Sequence, residues 1–286
     1  MSKKHVRKQI VIYGLALLIV LFVTAPYCWL VISSLSTKAD LLQTPMRWFP
    51  KEPTLHNYAA ILQGNANGTS DAGSQFIYAL KNSFIVSVTV TCLALMIGVM
   101  ASYAFARFHF RGRKTGVLSV LLVQMIPPIA LIIPLYMIMS RLHLMDNKAS
   151  LIVVYLSFVL PFIIWIMKGY LAGIPAEIEE AARIDGCSRL RTFVTIILPL
   201  SASGLAATTI FAFIMSWNEF FYALNFTTTL DAKTLPVVIT EFSSKHGADY
   251  ILTSTGGVIA SLPPVLLALF FQRYILSGLT SGAVKG

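Results

Sequence analysis

The sequence predicts an all-α polytopic membrane protein with six transmembrane helices and cytoplasmic N- and C-termini. Three observations carry that expectation. Hydrophobic residues make up 56% of the 286 and charged residues 12%, against about 25% charged in an ordinary soluble domain. Six stretches without Asp, Glu, Lys or Arg are also apolar: residues 9–37, 82–106, 115–140, 149–167, 192–218 and 250–272. Each matches the about 20 residues that a helix needs to cross the hydrocarbon layer. One buried helix in a soluble core could explain one or two such runs, but six leave too little polar sequence to cover a core. The third observation is the uneven spread of Lys and Arg, which sets the orientation.

The first span, about residues 10–34, follows Lys3, Lys4, Arg7 and Lys8. Its apolar part extends well past the roughly 7–15 residues of a signal-peptide core, so it reads as an uncleaved first helix. A polar outer loop, residues 35–80, comes next. It holds Pro45, Pro50 and Pro53 and then a Gly- and Asn-rich run from Gly64 to Ser70, and allows at most short helices. The second span, about 83–106, returns to the basic turn from Arg107 to Lys114. The third, about 117–140, contains Pro127, Pro128 and Pro134. The fourth, about 151–169, contains Pro161, and the sixth, about 251–276, contains Pro263 and Pro264. Proline inside a span frees carbonyls that neighbouring helices or a water-lined cavity must satisfy. Kinked helices around a translocation path and ordinary kinked packing are both open. The resulting division is a cytoplasmic N-terminus (1–9), a six-helix domain (10–277) and a cytoplasmic tail (278–286).

With the N-terminus inside, 14 of the 22 Lys and Arg fall on inner segments and 8 on outer ones, as the positive-inside bias requires. His109 and Cys187 are then inside, and Asn67 and Lys233 outside. Charge placed on membrane-flanking loops also argues against nucleic acid as the partner that a net charge of +10 would suggest. Cys28, Cys92 and Cys187 have no metal-site or disulfide spacing, and small core residues explain them. There is no Gly-Lys dipeptide and hence no phosphate-cradling Walker loop. There is no His-Glu-x-x-His pair and no Gly-x-Ser-x-Gly elbow. The spans lack the Asp/Glu/His relay of proton-driven carriers. No catalytic residue, metal site or cofactor is expected on this chain, and its energy must come from another one.

The loop between spans four and five, residues 172–195, is the most informative segment. Pro175 suits the first position of a helix. Glu177, Glu179 and Glu180 fall where the helix dipole favours negative charge, and Gly186 ends the helix at a position that often needs a left-handed residue. Ile178, Ala181, Ala182 and Asp185 lie on adjoining faces. A short, rigid, capped helix is therefore expected at the membrane surface, with small alanines that let another backbone approach.

Glu180-Ala181-Ala182, then Gly186, then Ile196, Leu198 and Pro199 resemble the EAA loop of ABC importer permeases, matched at every position of EAA-x3-G-x9-I-x-LP. Asp185 before the glycine is similar to the carbohydrate-uptake branch. Trp217-Asn218-Glu219-Phe220 and the ending from Gln272 to Gly286 resemble the second permease of maltose-type systems. Cys187 stands where alanine is usual, and Ser203 where a second proline is common, which leaves the start of the fifth span less constrained. The resemblance implies a type I importer permease fold in a bacterial or archaeal inner membrane. It also implies a second homologous permease subunit, two ATPase subunits that carry ATP and Mg, and an extracytoplasmic solute-binding protein. Glu180 would pair with a basic residue of the ATPase, Ala181 and Ala182 would permit close contact, and Gly186 would set the turn. The tail would reach into the ATPase dimer, a frayed terminus being the other reading. Trp217, Asn218, Glu219 and Tyr222 suit the faces and hydroxyls of a sugar, and interfacial anchoring suits them equally. A secondary carrier or channel subunit is the alternative function, although it has no use for the capped acidic helix. Disaccharides, oligosaccharides and polyol phosphates are all open as solutes.

Overall fold

The computed structural model describes residues 3–45, 47–63, 72–243 and 249–281, and no strand occurs among them. The chain opens with α1 (Lys3–Ser34), followed by the short α2 (Lys38–Leu42) and α3 (His56–Leu62) and the long α4 (Ala72–Arg107). Then come α5 (Arg113–Met125), α6 (Pro128–Arg141), α7 (Lys148–Ala172) and α8 (Glu177–Ile184). α9 (Arg189–Thr192) runs through a π turn, Phe193–Ile197, into α10 (Leu198–Leu200). α11 (Ala202–Trp217), α12 (Phe221–Phe226), α13 (Leu235–Glu241) and α14 (Tyr250–Ser281) complete the order.

Four described helical segments are long and apolar enough to cross a membrane: Arg7–Ser34, Gly73–Arg107, Lys148–Ala172 and Tyr250–Gln272. Two helix pairs qualify jointly. Arg113–Met125 with Pro128–Arg141 is bent by 98°, and Arg189–Leu200 with Ala202–Trp217 by 78°. Six spans result when each bent pair counts as one.

The first break lies at a proline pair, and the second, at Ser201, comes two residues after Pro199. Ile126 precedes Pro127 and is driven out of the helical region to ψ 121°. Pro127 is itself extended at ψ 134°, and Pro128 restarts the helix at its first position. The second break interrupts a stretch that the sequence presents as continuous. Pro199 has no N–H, and its ring crowds the carbonyl one turn back. The preceding turn widens, with Leu198 N–H donating to Phe193 O, and such π turns recur where a helix must absorb an irregularity. Pro161, Pro263 and Pro264 stay inside continuous helices.

Some ends extend further than expected. The helix anticipated from about residue 83 begins at Ala72, because Lys81 ends the apolar run without ending the helix. Phe76 and Ala79 in that extension are fully buried. Ser281 ends α14, so the first residues of the anticipated tail continue the helix, and residues 282–286 and Asn67 lie outside the described residues. Cys28 and Cys92 are exposed on the helix surfaces rather than packed in the core.

The chain forms two compact units, one of Met1–Ile77 with Val238–Ser261 and one of Tyr78–Val237 with Leu262–Gly286. In the first, a capping box starts α2: the Thr37 hydroxyl accepts from Asp40 N–H while Thr37 N–H donates to Asp40 Oδ2. Asn57 donates to the carbonyls of Ser34 and Ser36 at 2.8 and 3.0 Å, and so closes the C-terminal end of α1. Phe76 stacks on Phe242 with ring centroids 6.4 Å apart.

In the second unit α7 is the hub. Leu151, Val154, Tyr155, Val159, Ile163, Met167 and Leu171 recur at three- and four-residue spacing and are buried with Val86, Val90 and Ala94 of α4. Gly98 lets the two helices approach closely, since a Cβ there would lie 2.8 Å from Ile163 Cγ2. Ser102 Oγ donates to Gly98 O, and it lies 3.1 Å from Ile164 O on the facing helix.

Candidate functional site

The capped acidic helix expected between spans four and five is α8. It begins two residues later than Pro175 suggests, at Glu177, with Ala176 O accepting from Glu179 N–H and Glu180 N–H. Pro175 stands just outside and directs the chain in. At the other end Gly186 has φ +80°, in the left-handed region where a Cβ is strained. Gly186 N–H donates to Arg183 O, and Cys187 N–H to Ala182 O. These are the two bonds of a Schellman cap.

α8 presents two faces. Ala182 is buried and Ile178 half-buried, whereas Glu180, Ala181, Arg183, Asp185 and Gly186 are exposed. Ile184 keeps 87% of its surface, a large apolar side chain left uncovered beside Ala181 on the outward face. The two alanines therefore differ in use: Ala182 packs inward and Ala181 faces out. Ile196, Leu198 and Pro199 are not part of this surface. Ile196 and Leu198 are half-buried in and just after the π turn, and the exposed Pro199 lies two residues before the 78° break.

What holds α8 in place is a group of residues that the motif does not include. Arg107, the last residue of α4, pairs with Glu179 at 2.5 Å. Tyr103 OH donates to the other carboxylate oxygen at 2.8 Å, and Arg107 Nη2 donates to Ile174 O at 2.8 Å. Around them Tyr103 packs against Phe193 and Phe108 with centroids 4.6 and 5.6 Å apart, and the Arg189 guanidinium lies 5.3 Å above the Phe108 ring. One carboxylate of the acidic run is thus committed inward while Glu180 is left outside. Glu179 lies three residues before buried Ala182, a spacing that puts both on one helix face and was the available sequence signal. The segment after α8 is also tied down. Tyr170 OH hydrogen-bonds Ser203 Oγ, and a Cβ on Gly204 would lie 2.8 Å from the Tyr170 ring. Ser203 therefore constrains the start of α11 through Tyr170, where the sequence suggested a looser entry.

The second group of candidates lies around the end of α11. Trp217 is buried and stacks on Phe213 at 5.5 Å. The Glu219 carboxylate accepts from Tyr222 N–H at 2.8 Å and Ala223 N–H at 3.2 Å, which caps α12. Tyr222 is buried and stacks on Phe158 at 6.1 Å. Asn218 is the exposed member of the four.

A family model described as the binding-protein-dependent transport system inner membrane component matches residues 94–281. The chain is 36% identical over 285 residues to the trehalose/maltose transport system permease protein of Thermococcus litoralis, with 99% of each chain covered. It is 35% identical over 271 residues to the trehalose transport system permease protein of Mycobacterium tuberculosis, covering 94% of this chain and 95% of the relative. In fold it is similar to a chain from the crystal structure of a bacterial ABC transporter involved in the import of the acidic polysaccharide alginate. The TM-score is 0.79 at 21% identity, with 96% and 98% of the chains covered. The family match takes in the α4 end, the anchored α8, the bent α9–α11 segment and the last span, so this chain belongs to the binding-protein-dependent transport system inner membrane components.

Proposed function

We propose that this chain is the transmembrane permease subunit of an ATP-driven, binding-protein-dependent importer of a sugar or sugar-like solute. It forms half of the translocation path beside a second permease subunit. It takes its energy from two ATPase subunits and its solute from an extracytoplasmic binding protein, and ATP and Mg belong to the ATPases. The observation that carries this reading is α8 itself: a helix capped by a left-handed glycine, anchored inward through Glu179, with Glu180, Ala181 and Ile184 left exposed. Such a helix can be seated in a groove of another protein and can pass a push on to α4 and α9. Trehalose and maltose in the relatives' names favour a disaccharide-like sugar as the solute.

In this role Glu180 meets a basic residue of the ATPase, Ala181 gives it room, and Asp185 and Gly186 fix the direction of the turn. Ala182, Ile196, Leu198 and Pro199 carry the displacement into the bundle rather than touching the partner. The bent segment around Pro199 converts motion of α8 into motion of α11. Near the end of α11, Asn218 is the candidate solute contact, with Trp217, Glu219 and Tyr222 holding its surroundings. The termini and the α8 loop lie on the cytoplasmic side, and the end of the chain beyond Ser281 meets the ATPase dimer.

Affinity capture of the solubilised chain should bring ATPase subunits with it. Proteoliposomes holding the whole assembly, with binding protein and ATP, should accumulate labelled trehalose or maltose. Uptake without any ATPase would turn the reading toward a secondary carrier or channel. ATP-driven uptake of amino acids but of no sugar would overturn the solute class.

A further inference from the structure

The turn between α4 and α5 opens onto a cavity of about 1030 Å³ that the proposed coupling role does not use. Its lining has two chemistries. Arg111, Lys114 and Lys168 supply charge, and Phe110 and Leu118 supply an apolar wall. Lys168 belongs to α7, so the cations converge from elements far apart in sequence. Arg113 also lines the cavity but is already occupied, donating to Phe105 O at 2.8 Å and Ala106 O at 3.3 Å. It closes the end of α4 and, with Gly112 at φ +86°, fixes the shape of the turn. Among the described residues, Arg111, Lys114 and Lys168 have no carboxylate within ion-pairing distance. Three unpaired cations around one cavity repel one another and raise a positive potential that draws an anion.

The apolar wall says which anion. Leu118, Leu122 and Met125 are all exposed along α5, and α5 is the first arm of a bent span. The cavity therefore lies where a span meets its basic turn, with charge at the water end and an open apolar strip leading toward the hydrocarbon. An inorganic anion would leave most of the volume and the whole strip unused. Basic pockets at the ends of membrane helices bind anionic lipid headgroups for this reason. We propose that this cavity binds one anionic phospholipid. Its phosphate is held by Arg111, Lys114 and Lys168, and one acyl chain lies along Phe110, Leu118 and Leu122.

The test uses the assembled importer in nanodiscs and a phosphatidylglycerol with a photoactivatable acyl chain. Cross-links are expected within residues 110–125, with a phosphatidylcholine analogue labelling them only weakly and excess inorganic phosphate leaving the signal unchanged. Arg111→Gln and Lys114→Gln change exposed side chains and Lys168→Gln a half-buried one, and each should weaken labelling about fivefold. Equal labelling by the two lipids would overturn the site. Loss of signal to inorganic phosphate would reassign it to a free anion. Labelling of the isolated chain but not of the assembly would mean that a partner subunit covers the cavity. The readout is binding, so it stands apart from any failure of the transport assay.

Discussion

Arg107 Nε lies 2.5 Å from Glu179 Oε1, in a pair whose side chains keep only 14% and 13% of their surface. The pair joins the last residue of α4 to the first turn of α8 across 72 residues of sequence. It is close to dry and further held by Tyr103 and the Ile174 carbonyl, which gives it a different energetic standing from the exposed charges beside it.

Removing one member strands a mostly buried charge, at a cost of about 3–5 kcal/mol. Glu179→Ala and Arg107→Ala should each lower the unfolding temperature and the solute-stimulated ATPase rate of the assembly. Glu180→Ala, at an exposed position, should change stability by about 0.5 kcal/mol or less. The double variant Arg107→Ala/Glu179→Ala should cost less than the sum of the two. A Glu179→Ala melt indistinguishable from that of Glu180→Ala would show that the pair does not hold α8.

Gly186 at φ +80° meets no atom within 4 Å of a built Cβ, so the obstacle to substitution is backbone conformation and not space. Gly186→Val is expected to insert normally but to abolish uptake, because the turn must move and α8 then points elsewhere. Gly186→Asn, which tolerates the left-handed region, should keep most of the activity. Glu180→Lys, a reversal on the outward face, should leave the protein folded and uncouple ATP hydrolysis from uptake. Wild-type coupling in both Gly186→Val and Glu180→Lys would remove α8 from the transmission path.

Gly98 is a packing position. A Cβ there would meet Ile163 Cγ2 at 2.8 Å and Leu160 Cδ1 at 3.3 Å. Gly98→Val should force α4 and α7 apart at a cost of about 1–3 kcal/mol, and Ile163→Ala in the same chain should restore part of it. Thermal unfolding in detergent measures both, and additive losses in the pair would argue against the contact.

Asp146 sits at φ +55° in the turn before α7. Its Oδ1 accepts from Thr228 N–H at 2.8 Å and Thr229 N–H at 2.9 Å. Burial works against its ionisation, but the bonds from Thr229 and Thr228 outweigh burial and hold the carboxyl below its usual value. A carboxyl lowered in the folded state stabilises above its unfolded pKa, and that stability is lost as pH falls through the folded value. Wild-type unfolding temperature should therefore drop below about pH 4. Asp146→Asn, which keeps an oxygen acceptor, should cost about 1 kcal/mol at neutral pH and weaken that drop.

Orientation can be read with an impermeant thiol reagent in intact cells, in a chain freed of Cys28, Cys92 and Cys187. Asp231→Cys is exposed and should label from outside, whereas His109→Cys should label only after permeabilisation. The expected outer site Lys233 is buried and makes a poor reporter. Labelling of position 109 in intact cells would invert the topology.

Much of the architecture was legible in the chain itself. Lipid requires long apolar runs, so six uncharged stretches predicted the spans. A left-handed helix end favours glycine, so Gly186 marks the end of α8. The prolines of the third, fourth and sixth spans marked where those helices could bend, but bending depends on what receives the freed carbonyls. Pro161 stays within the continuous α7, whereas Pro127 sits at the 98° break and Pro199 lies two residues before the 78° one. Of three glutamates in one turn, only the three-residue spacing of Glu179 from Ala182 pointed to one of them, and spacing alone does not supply the partner that turns it inward. That choice falls to Glu179 because Arg107 and Tyr103 arrive at the same place from α4. Trp217, Glu219 and Tyr222 carry groups fit for a solute, and the fold uses them to pack α11 and cap α12. Composition and local geometry determined the spans and the capped helix, since the solvent and the backbone impose them one residue at a time. The tertiary structure decided which polar groups are spent inside the protein and which remain outside, because that depends on partners brought together from distant parts of the chain.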